Sequence, residues 1–212
     1  LRISALNLTG SGFCHHGTMD PEFFGYNAIM KALRQSLRQK RRKIDPSDRI
    51  KLAKKLLPQV QKIANFHPSQ KIALFLPNDG EIDTKYIQKF LKKQGISVYL
   101  PILFGKSLKF AKIGKNFRKN QYGIPEPAFS QILSAKHLDI VFMPLVGFDA
   151  NKNRIGMGGG YYDRTLAFKK RASRFSRPKL YGLAFDCQQV DKLDTQEWDV
   201  PLDAIITPSK IY

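Results

Sequence analysis

Short apolar runs alternate with stretches of helical period along this chain, and that alternation sharply limits the folds open to it. Lys71 to Leu76, Ser97 to Leu100, Leu108 to Ile113, Asp139 to Met143, Lys179 to Phe185 and Ala204 to Thr207 read as strands. Several are largely apolar, as in KIALFL, where Ile72 to Leu76 follow Lys71 without a polar residue, which is the pattern of a buried strand. From Asn27 a helical stripe of Ile29, Leu33 and Leu37 predicts a basic amphipathic helix, with Lys31, Arg34, Arg38 and Arg41 or Arg42 off the stripe. Asp45 before Pro46 reads as a helix cap with proline in the first turn, followed by the stripe Ile50, Ala53, Leu56, Leu57, Val60 and Ile63. A third helix is expected over Thr84 to Lys93, stopped by Gly95, and a short one over Ile132 to Lys136. The expected fold class is α/β: a layered, largely parallel open sheet flanked by helices, with its ligand at the carboxyl ends of the strands.

A chain of 212 residues buries a real core and is most simply one domain. No apolar run approaches the ~18 residues of a membrane span, so no membrane association is expected. Cys14 and Cys187 are too few for a disulfide framework and lack metal-site spacing, which points to a reducing cytoplasm. Residues 1–25 lack periodicity, and GTMDPEF from Gly17 to Phe23 resembles translated cloning-site sequence. They are read as a leader outside the fold, with His15 and His16 as tag remnants, leaving 26–212 as the single domain. The formal charge of +19 raises nucleic-acid binding through a basic helix at 31–43 as an alternative. Basic residues are nevertheless spread over the whole chain and no nucleic-acid motif accompanies them, so small anionic ligands are the expected partners.

Ten residues separate the run Ile140 to Met143 from RIGMGGGYYD, Arg154 to Asp163. Glycines at 156, 158, 159 and 160 permit positive φ and close backbone approach, so that several N–H groups can face one anion. A helix starting at Tyr161 and running through Leu166 and Phe168 would add its dipole. The plainer reading is a tight strand-to-helix turn. The flanking charges favour phosphate: Arg154 as a charged donor, and Asp163 as a magnesium ligand or a first-turn aspartate. The segment ends neither in Gly-Lys-Ser/Thr, as a P-loop does, nor in the third glycine of GxGxxG, where Tyr161 stands.

With PLVGFDANKNRIGMGGGYYDRTL from Pro144 to Leu166, FLPNDGEIDT from Phe75 to Thr84, YGIPEP from Tyr122 to Pro127 and LAFDCQQVDKLDTQEWDVPLDAIIT from Leu183 to Thr207, the sequence resembles the 5-formyltetrahydrofolate cyclo-ligase family. The resemblance implies ATP-driven ring closure of 5-formyltetrahydrofolate to 5,10-methenyltetrahydrofolate, with ATP and Mg2+ required and ADP and phosphate released. Such a reaction needs positioning and charge neutralisation more than a protein nucleophile. No serine-histidine or cysteine-histidine constellation stands out in the sequence.

Carried over position by position, the resemblance gives Arg154 and Tyr161 as catalytic. It gives Lys31, Arg34 and Arg154, Ile155, Gly156, Met157, Gly158, Gly159, Gly160, Tyr161 and Tyr162 as the ATP site. Family members vary in the lysine-to-arginine spacing, which favours Arg34 over Lys31. Leu76, Glu81, Tyr122 and Met157 to Tyr161 are implied for the folate, and Asp163 and Asp199 for magnesium. Glu81 would accept hydrogen bonds from the pterin, and Tyr122, with Phe110 as a second candidate, would stack on it. Arg38 and Arg42 read as a solvated basic face, and Trp198 as packing. A monomer is expected, as is the absence of a nucleic-acid partner. A family relative with the same nucleotide site and another small substrate is the remaining alternative.

Overall fold

The computed structural model describes residues 21–128, 131–173 and 176–212, so the reading of Cys14, His15 and His16 lies outside the described residues. Helix α1 spans Pro21–Arg42 and therefore begins within the segment read as a leader. Helix α2, Pro46–Lys62, starts as the spacing predicts: Asp45 accepts from the Ser47 amide at 2.7 Å and Pro46 occupies the first turn. Helix α3, Lys85–Lys93, is followed by Gly95 at φ +70°, a conformation glycine adopts without strain.

Strands β1 (Lys71–Ala73), β2 (Ser97–Phe104), β3 (Ser107–Lys112), β4 (Phe117–Lys119), β5 (Pro125–Pro127), β6 (Ile132–Leu133), β7 (Ile140–Pro144), β8 (Gly147–Phe148), β9 (Arg154–Ile155), β10 (Lys179–Leu183) and β11 (Ala204–Ile206) complete the element list with helix α4, Tyr161–Leu166. The main sheet has the order β11-β10-β7-β1-β2-β3-β6. β11, β10, β7, β1 and β2 run parallel, while β3 and β6 join antiparallel at one edge. The expected short helix at Ile132 to Lys136 is replaced by β6 and a 3-10 turn at Ala135–His137, because the sheet edge offers Ile132 and Leu133 partners in β3. Two small hairpins, β4–β5 and β8–β9, stand apart from the main sheet.

The period-2 alternation of strands divides the core into two layers. Ile72, Leu74, Val98, Leu100, Ile140 and Phe142 pack with Ala53, Leu56 and Val60 of α2 and with Ile87 and Leu91 of α3. The intervening Ala73, Tyr99, Val141 and Met143 pack with Leu166 of α4 on the opposite face. Phe110 is fully buried in that second layer, so it is a core side chain and not a face offered to a ligand. Among the described residues no helix is long and apolar enough to cross a membrane.

The chain leaves β1 toward α3 and β2 on one side, and leaves β7 toward α4 and β10 on the other. These crossovers lie on opposite faces of the sheet, so the neighbouring carboxyl ends of β1 and β7 flank a topological switch point, the usual crevice of open α/β sheets. Helix α1 closes this region. Its Met30 and Leu37, with Leu33, pack on Val146, Ile155 and Leu193, while Ile29 points to solvent against the expected stripe. The approach is close: a Cβ at Gly147 would stand 2.4 Å from Leu37 Cδ1, so a side chain there would have to displace Leu37.

Candidate active site

The loop leaving β7 forms the β8–β9 hairpin before it reaches the glycines. Its bend is closed by Asp149, fully buried, whose carboxylate accepts from the amides of Asn151, Asn153 and Leu193 at 2.9–3.0 Å and from Asn153 Nδ2 at 2.8 Å. That closure aims Arg154 and the glycine run past the end of β7. Gly158 sits at φ +94° and Gly160 at φ +61°, both in the region that disfavours side chains. Two arginines take loop carbonyls: Arg34 Nε donates to Gly156 O at 3.0 Å, and Arg164 Nη2 donates to Gly159 O. The amides of Met157 to Gly160 donate no backbone hydrogen bond among the described residues. A row of unspent donors beside arginine guanidinia is a site for an anion.

Arg154 is buried to 7% exposure and forms an ion pair with Asp163 at 2.5 Å. The sequence reading gave these two residues separate tasks, on phosphate and on metal, whereas the structure joins them. Arg154 Nε is buried with no partner, an orphaned donor in a loop of unspent donors. Helix α4 is short and passes into a 3-10 turn at Ala167–Arg171, so the expected continuation as α-helix through Phe168 is absent. Tyr161 opens the helix, and its hydroxyl lies 2.8 Å from that of Tyr122, with the two rings edge to face at 6.2 Å. That hydrogen bond and, to a lesser extent, burial push the Tyr161 phenol above its ordinary value. The tip of the β4–β5 hairpin thereby reaches across to the glycine loop, leaving Tyr122 58% exposed with a free face.

The other side of the switch point is the turn after β1. Asn78 to Glu81 form a β-turn closed by the Glu81 amide on Asn78 O at 3.0 Å, with Asp79 and Gly80 at φ +52° and +77°. Three arginines of α1 converge on Asp79: Arg38 Nε at 2.6 Å, Arg41 Nη2 at 2.9 Å, and Arg42 on the second oxygen. Arg38 and Arg42 are therefore not the solvated face expected of them; their partner lies in another element. Burial alone would raise the Asp79 carboxyl, but hydrogen bonds from Arg38 and Arg42 and the charges of Arg41 and Arg38 hold it at about 2.

Glu81 accepts from the Asn78 amide at 3.0 Å and lies 3.8 Å from Arg41. Burial drives its carboxyl up to about 7, a rise limited by the Asn78 amide and Arg41 and reinforced by the charge of Asp79. It borders a cavity of about 380 Å³ with Arg49, Ile50, Pro77 and Gly80. Leu76 packs at the edge of the first core layer beside it. Tyr162 connects the two halves: its phenol is pushed up by burial and then by the charge of Glu81, against the opposing effect of Arg154.

The structure thus gathers Arg34, Arg154, Asp163, the glycine run, Tyr161 and Tyr122 on one side of the crevice, and Leu76 and Glu81 on the other, with Tyr162 between. Ile155 is buried under α1, so only its backbone faces the loop. Met157 is 53% exposed beside the glycines. Lys31 is exposed, one helical turn before Arg34. Asp199 accepts from the Gln196 amide at 2.8 Å in the loop that Gln196 ties to Tyr26 of α1. No group of three or more His, Cys, Asp or Glu side chains among the described residues is placed to hold a metal. Trp198, expected to pack, is 64% exposed. A larger cavity of about 730 Å³ beneath the β4–β5 hairpin contains none of the candidate residues.

Comparison with known proteins places the chain by sequence and by fold. The model of the 5-formyltetrahydrofolate cyclo-ligase family matches residues 27–208. The Escherichia coli K12 5-formyltetrahydrofolate cyclo-ligase is 35% identical over 183 residues, covering 83% of this chain and 98% of that protein. The Haemophilus influenzae enzyme of the same name is 44% identical over 145 residues, covering 65% and 75% of the two chains. The structure of Aquifex aeolicus 5,10-methenyltetrahydrofolate synthetase superposes with a TM-score of 0.73 at 27% identity, covering 85% of this chain and 90% of that one. Matched across nearly its whole described length by fold and by sequence, the chain belongs to the 5-formyltetrahydrofolate cyclo-ligase family.

Proposed function

We propose that the protein converts 5-formyltetrahydrofolate to 5,10-methenyltetrahydrofolate at the expense of ATP, with magnesium, releasing ADP and phosphate. The observation that carries the nucleotide half is the glycine loop: unspent amides, arginines holding its carbonyls, and the buried, partnerless Nε of Arg154. These donors fit a polyphosphate. ATP supplies a phosphoryl group to the formyl oxygen, making it a leaving group when N10 of the folate closes the ring. Arg34 and Arg154 orient and neutralise the phosphates, and the loop amides receive charge as it shifts between oxygens. Tyr161 and Tyr122 keep the folate against the loop and exclude water.

Magnesium would share the phosphate charge and needs only one or two protein carboxylates, which suits Asp163 and Asp199 better than a dedicated cage. The salt bridge of Asp163 uses Oδ1, leaving Oδ2 for the cation. ADP release is therefore expected only when 5-formyltetrahydrofolate is present, and it should stop on addition of a chelator. Release independent of the folate, or unchanged in EDTA, would remove respectively the coupled reaction or the metal.

In this reading Glu81 accepts hydrogen bonds from the pterin amino and ring N–H groups, a task for its ionised form. With its carboxyl at about 7, folate affinity should rise about tenfold from pH 6 to pH 8 as Glu81 ionises. The same raised value means that its contribution to folding stability is full below about pH 4.5 and is lost as pH rises from there to about 7. Fluorescence titration of folate binding checks the affinity; Glu81→Gln should flatten the profile, and an equal slope in that variant would assign the pH dependence elsewhere.

A further inference from the structure

Arg41 spans the switch point. It continues the apolar stripe of α1 one turn beyond Leu37 and is fully buried. Its Nε donates to Asp79 O at 2.9 Å, its Nη2 to Asp79 Oδ2 at 2.9 Å, and its Nη1 to Leu145 O at 3.1 Å. The Leu145 carbonyl, just past the end of β7, also accepts from the buried Gln188 Nε2 at 2.8 Å. One planar cation therefore joins the chain leaving β7, which carries the glycine loop, to both backbone and side chain of the turn leaving β1, which carries Glu81. A lysine has the charge but not the fork that bonds in these directions at once. Arg38 and Arg42 already neutralise Asp79, so a third arginine with no exposure is more than that carboxylate requires.

We infer that Arg41 is a positioning residue for folate binding, holding Glu81 in register with the glycine loop across the switch point. The inference rests on the reading of Glu81 as the pterin acceptor. The groups facing Glu81 are Arg41 from α1, Asp79 from its own turn, Arg49 from α2 across the cavity, and Tyr162 from α4. Of these, Arg41 favours the carboxylate, while Asp79 opposes it. Arg41 therefore acts on Glu81 in two ways, by fixing the turn and by supplying positive charge, and both act on the folate side while the contact of Arg34 with the glycine loop stays intact.

The test compares Arg41→Met and Arg41→Lys in the full chain. Arg41→Met prolongs the apolar stripe and leaves Asp79 with two arginines and Leu145 O with Gln188, so it retains the partners that folding needs; Arg41→Lys is the second variant should it fail to fold. The KM for 5-formyltetrahydrofolate is expected to rise about tenfold or more while the KM for ATP stays within about twofold, since small misplacement of a binding group has large effects. Parallel rises in both constants, or an unchanged folate KM in a folded variant, overturn the inference. Carbon-13 NMR titration of the Glu81 carboxyl provides a readout that needs no turnover: its midpoint should move up in Arg41→Met, and an unmoved midpoint also overturns it. If the unaltered protein does not turn over 5-formyltetrahydrofolate, the functional reading fails, and the NMR shift still decides whether Arg41 acts on Glu81.

Discussion

Replacing Arg154 by alanine should lower kcat by about 10³-fold at saturating ATP and folate, the scale on which an arginine clamping a transferring phosphoryl group contributes. Arg154 is buried, paired with Asp163, and carries the one buried polar side-chain atom without a partner among the described residues. An unpartnered guanidinium N–H costs stability unless something present during turnover uses it. Removing the arginine also frees the Asp163 carboxylate, so some stability is lost with the activity. Arg154→Lys separates the two effects: it keeps the charge beside Asp163 and loses the fork, and should keep the thermal midpoint near that of the unaltered protein while recovering only a small part of kcat. Stopped-flow measurement of the methenyl product gives kcat for both variants. Unaltered turnover in Arg154→Ala would remove this residue from the reaction.

The largest effect on stability is expected at Asp79. Alanine there leaves the buried Arg41 with only the more distant Glu81, at 3.8 Å, as a carboxylate neighbour and puts a Cβ-bearing residue with no compensating side chain at φ +52°. Breaking a buried pair by removing one partner costs about 3–5 kcal/mol. Asp79→Asn tolerates the left-handed backbone and keeps a hydrogen-bond acceptor, so it should cost less than alanine. The pH dependence has a definite sign. The carboxyl lies at about 2 in the folded chain, below its ordinary 3.8, so its stabilisation is full above about pH 4 and is lost as pH falls toward 2. Urea unfolding at pH 7 and pH 3 checks both points. The unaltered protein should lose more stability between them than Asp79→Asn, and a cost below about 1 kcal/mol for Asp79→Ala would contradict the arrangement.

The parts of the fold legible in the sequence are those set by local chemistry. Asp45-Pro46 starts α2, Gly95 follows α3, and the largely apolar runs form the parallel strands. The turn from β9 into α4 was legible too, because the glycine run permits the positive φ that Gly158 and Gly160 adopt. Hidden were features whose partners are remote in sequence. β6, and the hairpins β4–β5 and β8–β9, exist only through pairing across loops. Arg38, Arg41 and Arg42 look alike on a basic helix, and nothing within α1 announces Asp79, which lies across α2 and β1 in the chain.

A local signal did exist for Arg41, since the stripe Met30, Leu33 and Leu37 extrapolates to it at helical spacing. The stripe Ile29, Leu33 and Leu37 reaches position 41 at the same spacing, so it is the charge of Arg41, not its register, that assigns it to the polar side when the sequence is read alone. The pairing of Arg154 with Asp163 was within reach as well: nine residues apart around a glycine turn, they carry opposite charges on two limbs that meet.

The central claim is a coupled reaction at one crevice, and near-ultraviolet absorbance measures it directly. Purified protein mixed with 5-formyltetrahydrofolate should produce the methenyl absorbance when Mg-ATP is added and none without it. Absence of that rise in protein that still binds ATP would contradict the proposed substrate and leave the glycine loop as a nucleotide site serving another reaction.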